Sequence, residues 1–216
     1  MARVRVAVLI SGRGSNLEAL IRHAVAADFP AEIALVISNV AGALGLRHAE
    51  AAGITTQVIE HRGKERAAFE AELDRALRAA GVELICLAGF MRLLTGEFVR
   101  RWADRILNIH PSLLPAFRGL DVHERVIAAG VRFTGCTVHF VRPEMDAGPI
   151  VGQAVVPVAD GDTAETLAVR VLEAEHALYP LALRLVAERR AEVIGDVVRI
   201  RDAGPPDFGF RLNPAR

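Results

Sequence analysis

The strongest constraint on this chain is a rhythm in its apolar residues between Val4 and Ile109. Val4–Ile10, Ala34–Ser38, Thr56–Ile59, Leu84–Ala88 and Ile106–Ile109 read as strands, and helical patterns beginning near Leu17, Leu44, Lys64 and Gly96 separate them. Strands that are apolar on both faces need cover on both faces, and intervening helices supply it when the strands run parallel. The expectation is an α/β fold, a Rossmann-like, mostly parallel sheet with helices on both faces. After Pro115 the rhythm changes. Asp121–Ala129 reads as helix, and Cys136–Val141 and Val151–Val158 as strands joined through Asp146-Ala147-Gly148-Pro149. That link is too short for a crossover helix, so antiparallel strands are expected in the C-terminal part.

From Asp162 a long helix is expected, opened by a capping box in Asp162-Thr163-Ala164-Glu165 and kinked or broken at Pro180. Asp196–Ile200 is one more strand-like piece, and Gly204-Pro205-Pro206 belongs to a loop-rich tail over 201–216. Without a linker, repeat or low-complexity tract, residues 1–216 read as a single domain.

Composition narrows the function. The chain has 26 basic and 26 acidic side chains and is 52% hydrophobic. So apolar a chain can offset the entropy of ordering, and disorder is excluded as its main state. A neutral balance argues against a nucleic-acid binder that relies on a bulk positive field, though a local anion site stays open. Apolar runs such as Val6–Ile10 and Ile33–Ile37 are strand-sized, far below the roughly 18 residues of a membrane span. The N-terminus reads as a first strand rather than a signal segment. Cys86 and Cys136 form neither a disulfide framework nor a C-x-x-C motif, which points to a reducing, cytoplasmic setting.

Three segments could carry chemistry. Ser11-Gly12-Arg13-Gly14-Ser15-Asn16 turns the first strand into a helix. It serves as a plain connection, or as an anion site in which free N–H groups at the helix start are joined by Ser15 and Asn16 donors. It is neither a Walker A loop, lacking Gly-Lys-Ser/Thr, nor a dinucleotide fingerprint, since Leu17 takes the third glycine's place. Asn108-Ile109-His110-Pro111-Ser112-Leu113-Leu114-Pro115 ends the fifth strand. Asn108 and His110, two apart, share a strand face at the sheet edge where α/β ligands bind. No nucleophile elbow surrounds Ser112. Asp146 in its Gly/Pro turn either bonds turn amides or partners His110. His110, His123 and His139 lack metal-ligand spacing, and no metal is expected.

Together these segments resemble the folate-dependent phosphoribosylglycinamide formyltransferases, or glycinamide ribonucleotide transformylases. The likeness rests on Leu9-Ile10-Ser11-Gly12-x-Gly14-Ser15-Asn16-Leu17, Leu87-Ala88-Gly89-Phe90-Met91-Arg92-Leu93-Leu94, the Asn108–Pro115 run, and Glu175-His176-x-x-Tyr179-Pro180. The Asn-x-His-Pro-Ser-Leu-Leu-Pro run followed by a later Asp is specific for the formyltransferase superfamily. The Gly-Ser-Asn loop points to the glycinamide ribonucleotide branch.

The resemblance implies the formyltransferase fold, with a ribonucleotide- and phosphate-binding half at about 1–100 and a folate and catalytic half at about 101–200. It implies transfer of a formyl group from 10-formyltetrahydrofolate, as co-substrate, to the amine of glycinamide ribonucleotide in purine (IMP) biosynthesis. It assigns catalysis to Asn108, His110 and Asp146, the substrate phosphate to Gly14, Ser15 and Asn16, and the ribonucleotide to Glu175. Arg66 and Arg92 fall to the folate's glutamate tail, and Met91, Leu93, Leu94, Val141, Arg142 and Glu144 to the folate. Pro143, Ala147 and Arg118 depart from the family's usual residues and bear on the shape of two loops. A tetrahedral intermediate needs donors for its oxyanion, a role for Asn108 and for a His110 kept charged by Asp146. The amine's proton would leave through the Asp146 and His110 pair. The expected partners are the two small substrates, without nucleic acid or membrane, in a monomer or homodimer. Two relatives within the superfamily, the methionyl-tRNA formyltransferases and the formyltetrahydrofolate hydrolases, carry an extra domain for which this chain has no room. A binding module without activity would have no need of the trio.

Overall fold

The computed structural model describes residues 2–202. The loop expected at Gly204-Pro205-Pro206 lies outside them. Strands β1 (Val4–Ile10), β2 (Ala31–Ser38), β3 (Thr56–Val58), β4 (Leu84–Leu87) and β5 (Ile106–His110) alternate with helices α1 (Ser15–Ala24), α2 (Gly45–Ala51), α3 (Arg66–Ala79) and α4 (Gly96–Arg101). Helix α5 (Val122–Ala128), strands β6 (Phe133–Phe140) and β7 (Ile150–Pro157), helix α6 (Ala164–Ala187) and strands β8 (Ala191–Ile194) and β9 (Val197–Ile200) complete the order. Seven strands form one sheet in the order β3-β2-β1-β4-β5-β6-β7. The first five are parallel, β6 and β7 are antiparallel, and β8 and β9 make a separate hairpin. The expected mostly parallel sheet with added antiparallel strands is what forms.

Strand β1 shows why helices cover both faces. Val6, Val8 and Ile10 enter a core shared with Leu17 and Leu20 of α1 and Leu167 and Val171 of α6. Ala7 and Leu9 enter the opposite core with Phe69, Leu73 and Leu77 of α3. This is the period of two expected of a strand buried on both sides. Each fully buried leucine here contributes about 1.5–3 kcal/mol relative to exposure.

Between β1 and β4 the order reverses, since the chain steps outward to β2 and β3 on one side and to β4 and β5 on the other. Such a reversal leaves a crevice beyond the carboxyl ends of the two strands. The loop at Ser11–Gly14 and the segment at Gly89–Leu94 leave β1 and β4 at that crevice.

Two local expectations change. The cap of α6 sits one residue later than the sequence suggests: Thr163 and Thr166 exchange side-chain and backbone hydrogen bonds at 3.0 and 3.3 Å. Asp162 instead pairs with Arg170, which holds its carboxyl well below the usual range, and accepts from the Ala159 N–H at 2.7 Å. Pro180 does not break α6, which runs unbroken from Ala164 to Ala187. A proline inside a helix costs about 3 kcal/mol. Burial of Leu178, Tyr179, Ala182 and Leu183 around it offsets that cost.

Candidate active site

The site begins with the register of β5 against β6, which sets Asn108 opposite His139 and His110 opposite Thr137. His139 Nδ1 lies 3.0 Å from the Phe140 carbonyl, which can only accept, so Nδ1 carries the proton. Nε2 is then the acceptor for the Asn108 amide N–H at 3.2 Å, and this fixes the orientation of Asn108. Burial lowers the His139 pKa against the opposing pull of the Phe140 carbonyl and Asp146, which keeps the ring in that neutral form.

Asp146 arrives from the β6–β7 connection with a positive φ of 51°. The nearby turn is tight: a Cβ on Gly148 would come within 1.7 Å of the Phe140 carbonyl oxygen, so only glycine fits. Asp146 Oδ2 accepts from the Gly119 N–H at 2.9 Å and lies 3.4 Å from His110 Nδ1, while Oδ1 lies 3.8 Å from His139 Nε2. His110 Nε2 donates to the Phe117 carbonyl at 2.9 Å. With that nitrogen committed, Nδ1 faces the carboxylate, and the contact is favourable when the ring carries both protons. Asn108 keeps a free donor, the N–H that it does not use on His139. Ser112 spends its hydroxyl on the Ala116 carbonyl at 2.6 Å, which disfavours a nucleophilic role.

Asn108, His110 and Asp146 open onto one cavity of about 600 Å³. Its walls include Met91, Arg92, Leu93 and Leu94 after β4, Val141 and Arg142 after β6, and His123 and Leu120 from the segment before and within α5. Such a volume and a largely apolar lining with a few polar groups suit a drug-sized molecule. The Arg92 guanidinium carbon lies 5.1 Å above the Phe69 ring, and its buried Nε has no protein partner. Arg142 pairs with Asp104 at 2.6 Å on the rim. The structure does not bring Arg66 or Glu144 to the cavity lining, and both are exposed. Arg66 opens α3, whose inward face is set by Phe69, Leu73 and Leu77, and Glu144 sits on the outer turn between Pro143 and Met145.

Gly14, Ser15, Asn16 and Glu175 lie outside the cavity lining, at the start of α1 and where α6 packs on it. Gly14, at φ 77°, is pressed on Gly45, and a Cβ there would sit 2.5 Å from its Cα. The helix carries no side-chain cap, so its first N–H groups stay available to an anion. The Asn16 side chain donates one amide N–H to Glu175 Oε2 at 2.7 Å, which turns it toward α6. Burial pushes the Glu175 carboxyl up, against that bond. Tyr179, one turn on, donates to the Leu87 and Leu107 carbonyls at 3.0 and 3.2 Å and ties α6 beneath β4 and β5.

His139, Gly119 and Phe117 escape the sequence reading. His139 looks like a core residue of an apolar strand, and only the strand register reveals its contact with Asn108. Among the described residues no group of three or more His, Cys, Asp or Glu is placed to hold a metal ion.

Residues 4–183 match the family model described as formyl transferase. The chain belongs to the formyl transferase family. It is 41% identical over 210 residues to a phosphoribosylglycinamide formyltransferase of Haemophilus influenzae, covering 95% of this chain and 98% of that one. It is 58% identical over 192 residues to the trifunctional purine biosynthetic protein adenosine-3 of Gallus gallus, covering 88% of this chain but only 19% of that longer protein. A crystal structure of glycinamide ribonucleotide transformylase 1 from Symbiobacterium toebii superposes with a TM-score of 0.90 at 47% identity, covering 93% and 95% of the two chains. The sheet order and antiparallel extension described above are thus those of the formyl transferase fold.

Proposed function

We propose that this chain transfers the formyl group of 10-formyltetrahydrofolate to the amine of glycinamide ribonucleotide, giving formylglycinamide ribonucleotide and tetrahydrofolate in purine biosynthesis. The observation that carries this reading is the contact of Asp146 with His110, beside Asn108, on the wall of a folate-sized cavity. The amine nitrogen attacks the formyl carbon, the oxygen becomes an oxyanion, and the C–N10 bond then breaks as N10 takes a proton. Asn108 offers its free N–H to the oxyanion. His110 Nδ1 faces the Asp146 carboxylate at 3.4 Å, and this pair takes up the amine's proton directly or through water.

The folate's bicyclic ring is assigned to the Met91–Leu94 and Val141–Asp146 walls, with Arg142 on the rim and Glu144 on the outer turn. Arg92 takes the glutamate tail, with exposed Arg66 at the outer end. The phosphate rests on the backbone of Gly14, Ser15 and Asn16, and Glu175 takes the ribose. The chain works as one unit on two small molecules, as a monomer or homodimer, without nucleic acid or membrane. Buried free Cys86 and Cys136 fit a reducing cytoplasm. Among the described residues no helix is long and apolar enough to cross a membrane.

The test compares glycinamide ribonucleotide with its dephosphorylated nucleoside. Remote binding of the phosphate positions the amine, so kcat/KM should drop by about 100-fold or more without it. Equal kcat/KM for the two would remove the phosphate site, and release of formate without formylated amine would make the chain a hydrolase.

A further inference from the structure

Ser11 links the segments that carry the two proposed substrate sites, since the α1 loop follows it in the chain and its side chain bonds the segment after β4. It stands one position past β1, between the α1 loop and the cavity wall. Its backbone N–H donates to the Gly89 carbonyl at 3.2 Å, extending the β1–β4 ladder past the end of β4. Its hydroxyl accepts from the Met91 N–H at 2.8 Å and donates to Asn39 Oδ1 at 2.6 Å. His61 Nδ1 donates to the backbone carbonyl of Asn39, just past β2, at 2.9 Å. A chain of hydrogen bonds thus runs across the carboxyl edge of β4, β1, β2 and the segment after β3.

The consequence lies in what each end carries. One residue after Ser11 begins the glycine turn that delivers the free N–H groups of α1, and Gly12 accepts from the Gly45 N–H at 3.0 Å. Met91, whose N–H the hydroxyl holds, opens the wall Met91–Leu94 of the large cavity. Met91 and Leu93 are themselves exposed, at 71% and 57%, so while Arg92 and Leu94 pack inward, the start of the stretch is held by the backbone bond to Ser11. The hydroxyl's one donor is spent on Asn39, and one of its lone pairs holds Met91.

We propose that Ser11 is a positioning residue that couples the sites: an anion seated on the α1 loop fixes Ser11, and Ser11 fixes the Met91 peptide against the folate. The inference rests on the formyl-transfer reading for the identity of the two ligands. Coupling of this kind must be reciprocal, and typical couplings are about 5- to 150-fold.

The test uses ligands that cannot react together. Calorimetry measures the Kd of 10-formyltetrahydrofolate with and without saturating ribose 5-phosphate, which lacks the amine, for the wild type, Ser11→Ala and Ser11→Thr. In the wild type each ligand should tighten the other about 5-fold or more. Ser11→Ala should bring that ratio close to one while each ligand still binds alone, and Ser11→Thr, which keeps the hydroxyl, should restore it. An unchanged ratio in Ser11→Ala, a wild-type ratio of one, or no binding of ribose 5-phosphate would overturn the proposal. Coupled binding without turnover on glycinamide ribonucleotide would remove the formyl-transfer reading and leave Ser11 standing.

Discussion

At the scale of single residues, the site works by leaving few polar groups uncommitted. Asn108 spends one N–H on His139 and keeps one, His110 spends Nε2 on the Phe117 carbonyl and turns Nδ1 to Asp146, and Asp146 takes a backbone N–H on one oxygen. A side chain prepared in this way costs no reorganisation when charge develops on the substrate. Asn108→Ala should lower kcat by about 100- to 1000-fold with a small change in KM, measured by steady-state kinetics on protein shown to be folded. A fall smaller than tenfold would move the oxyanion donor elsewhere. Much of this was legible in the sequence. Asn108 and His110 sit two apart at a strand end, and the Gly/Pro turn flags Asp146. His139 was not legible, because its role depends on which residue of β5 it faces, and register across a connection of more than twenty residues that includes α5 leaves no mark on local sequence.

At the scale of elements, β1, β2, β4 and β5 could be read because they are largely apolar on both faces, whereas the edge strand β3 is short and mostly exposed. The edges were less legible. Strand β6 begins at Phe133 instead of Cys136 because Gly135 sits inside it, where a Cβ would strike the Ala154 carbonyl at 1.8 Å. Strand β8 escaped because Ala191–Ile194 alternates over only four residues and is paired by β9 alone. Pro180 misled because its local cost is visible in sequence and the tertiary burial that offsets it is not. The segment between β4 and α4 is the element most open to test. Arg92 leaves it to lie over Phe69 with an unsatisfied Nε. A half-exposed arginine meeting a carboxylate contributes about 1 kcal/mol. Arg92→Ala should therefore raise KM for the folate several-fold and leave kcat near wild type. Loss of kcat at unchanged KM would place Arg92 at the reacting centre.

At the scale of the whole molecule, the loops after β1 and β4 flank the strand-order reversal, and the α1–α6 packing beside them carries a cost. Glu175 is buried with one hydrogen-bond partner, and its carboxyl is held above the ordinary value of 4.5. The folded chain thus binds this proton more tightly than the unfolded chain, and stability declines as pH rises from about 4.5 through the raised folded value. Glu175→Gln should consequently melt higher than wild type at pH 7, with the difference shrinking toward pH 4, while binding the ribonucleotide less tightly. In a chain of this size about 1 kcal/mol moves Tm by roughly 2–4 °C, which thermal melts across pH resolve. A variant less stable than wild type at both pH values would contradict the assignment. The claim on which everything else rests is that Asp146 and His110 act as one unit on the moving proton. The direct measurement is a double-mutant cycle of single-turnover formyl transfer for Asp146→Asn, His110→Ala and the pair, with circular dichroism to confirm folding. Each single change should slow transfer by several orders of magnitude, and the double change should cost far less than the product of the two. Fully multiplicative losses, or near-wild-type transfer by Asp146→Asn, would contradict it.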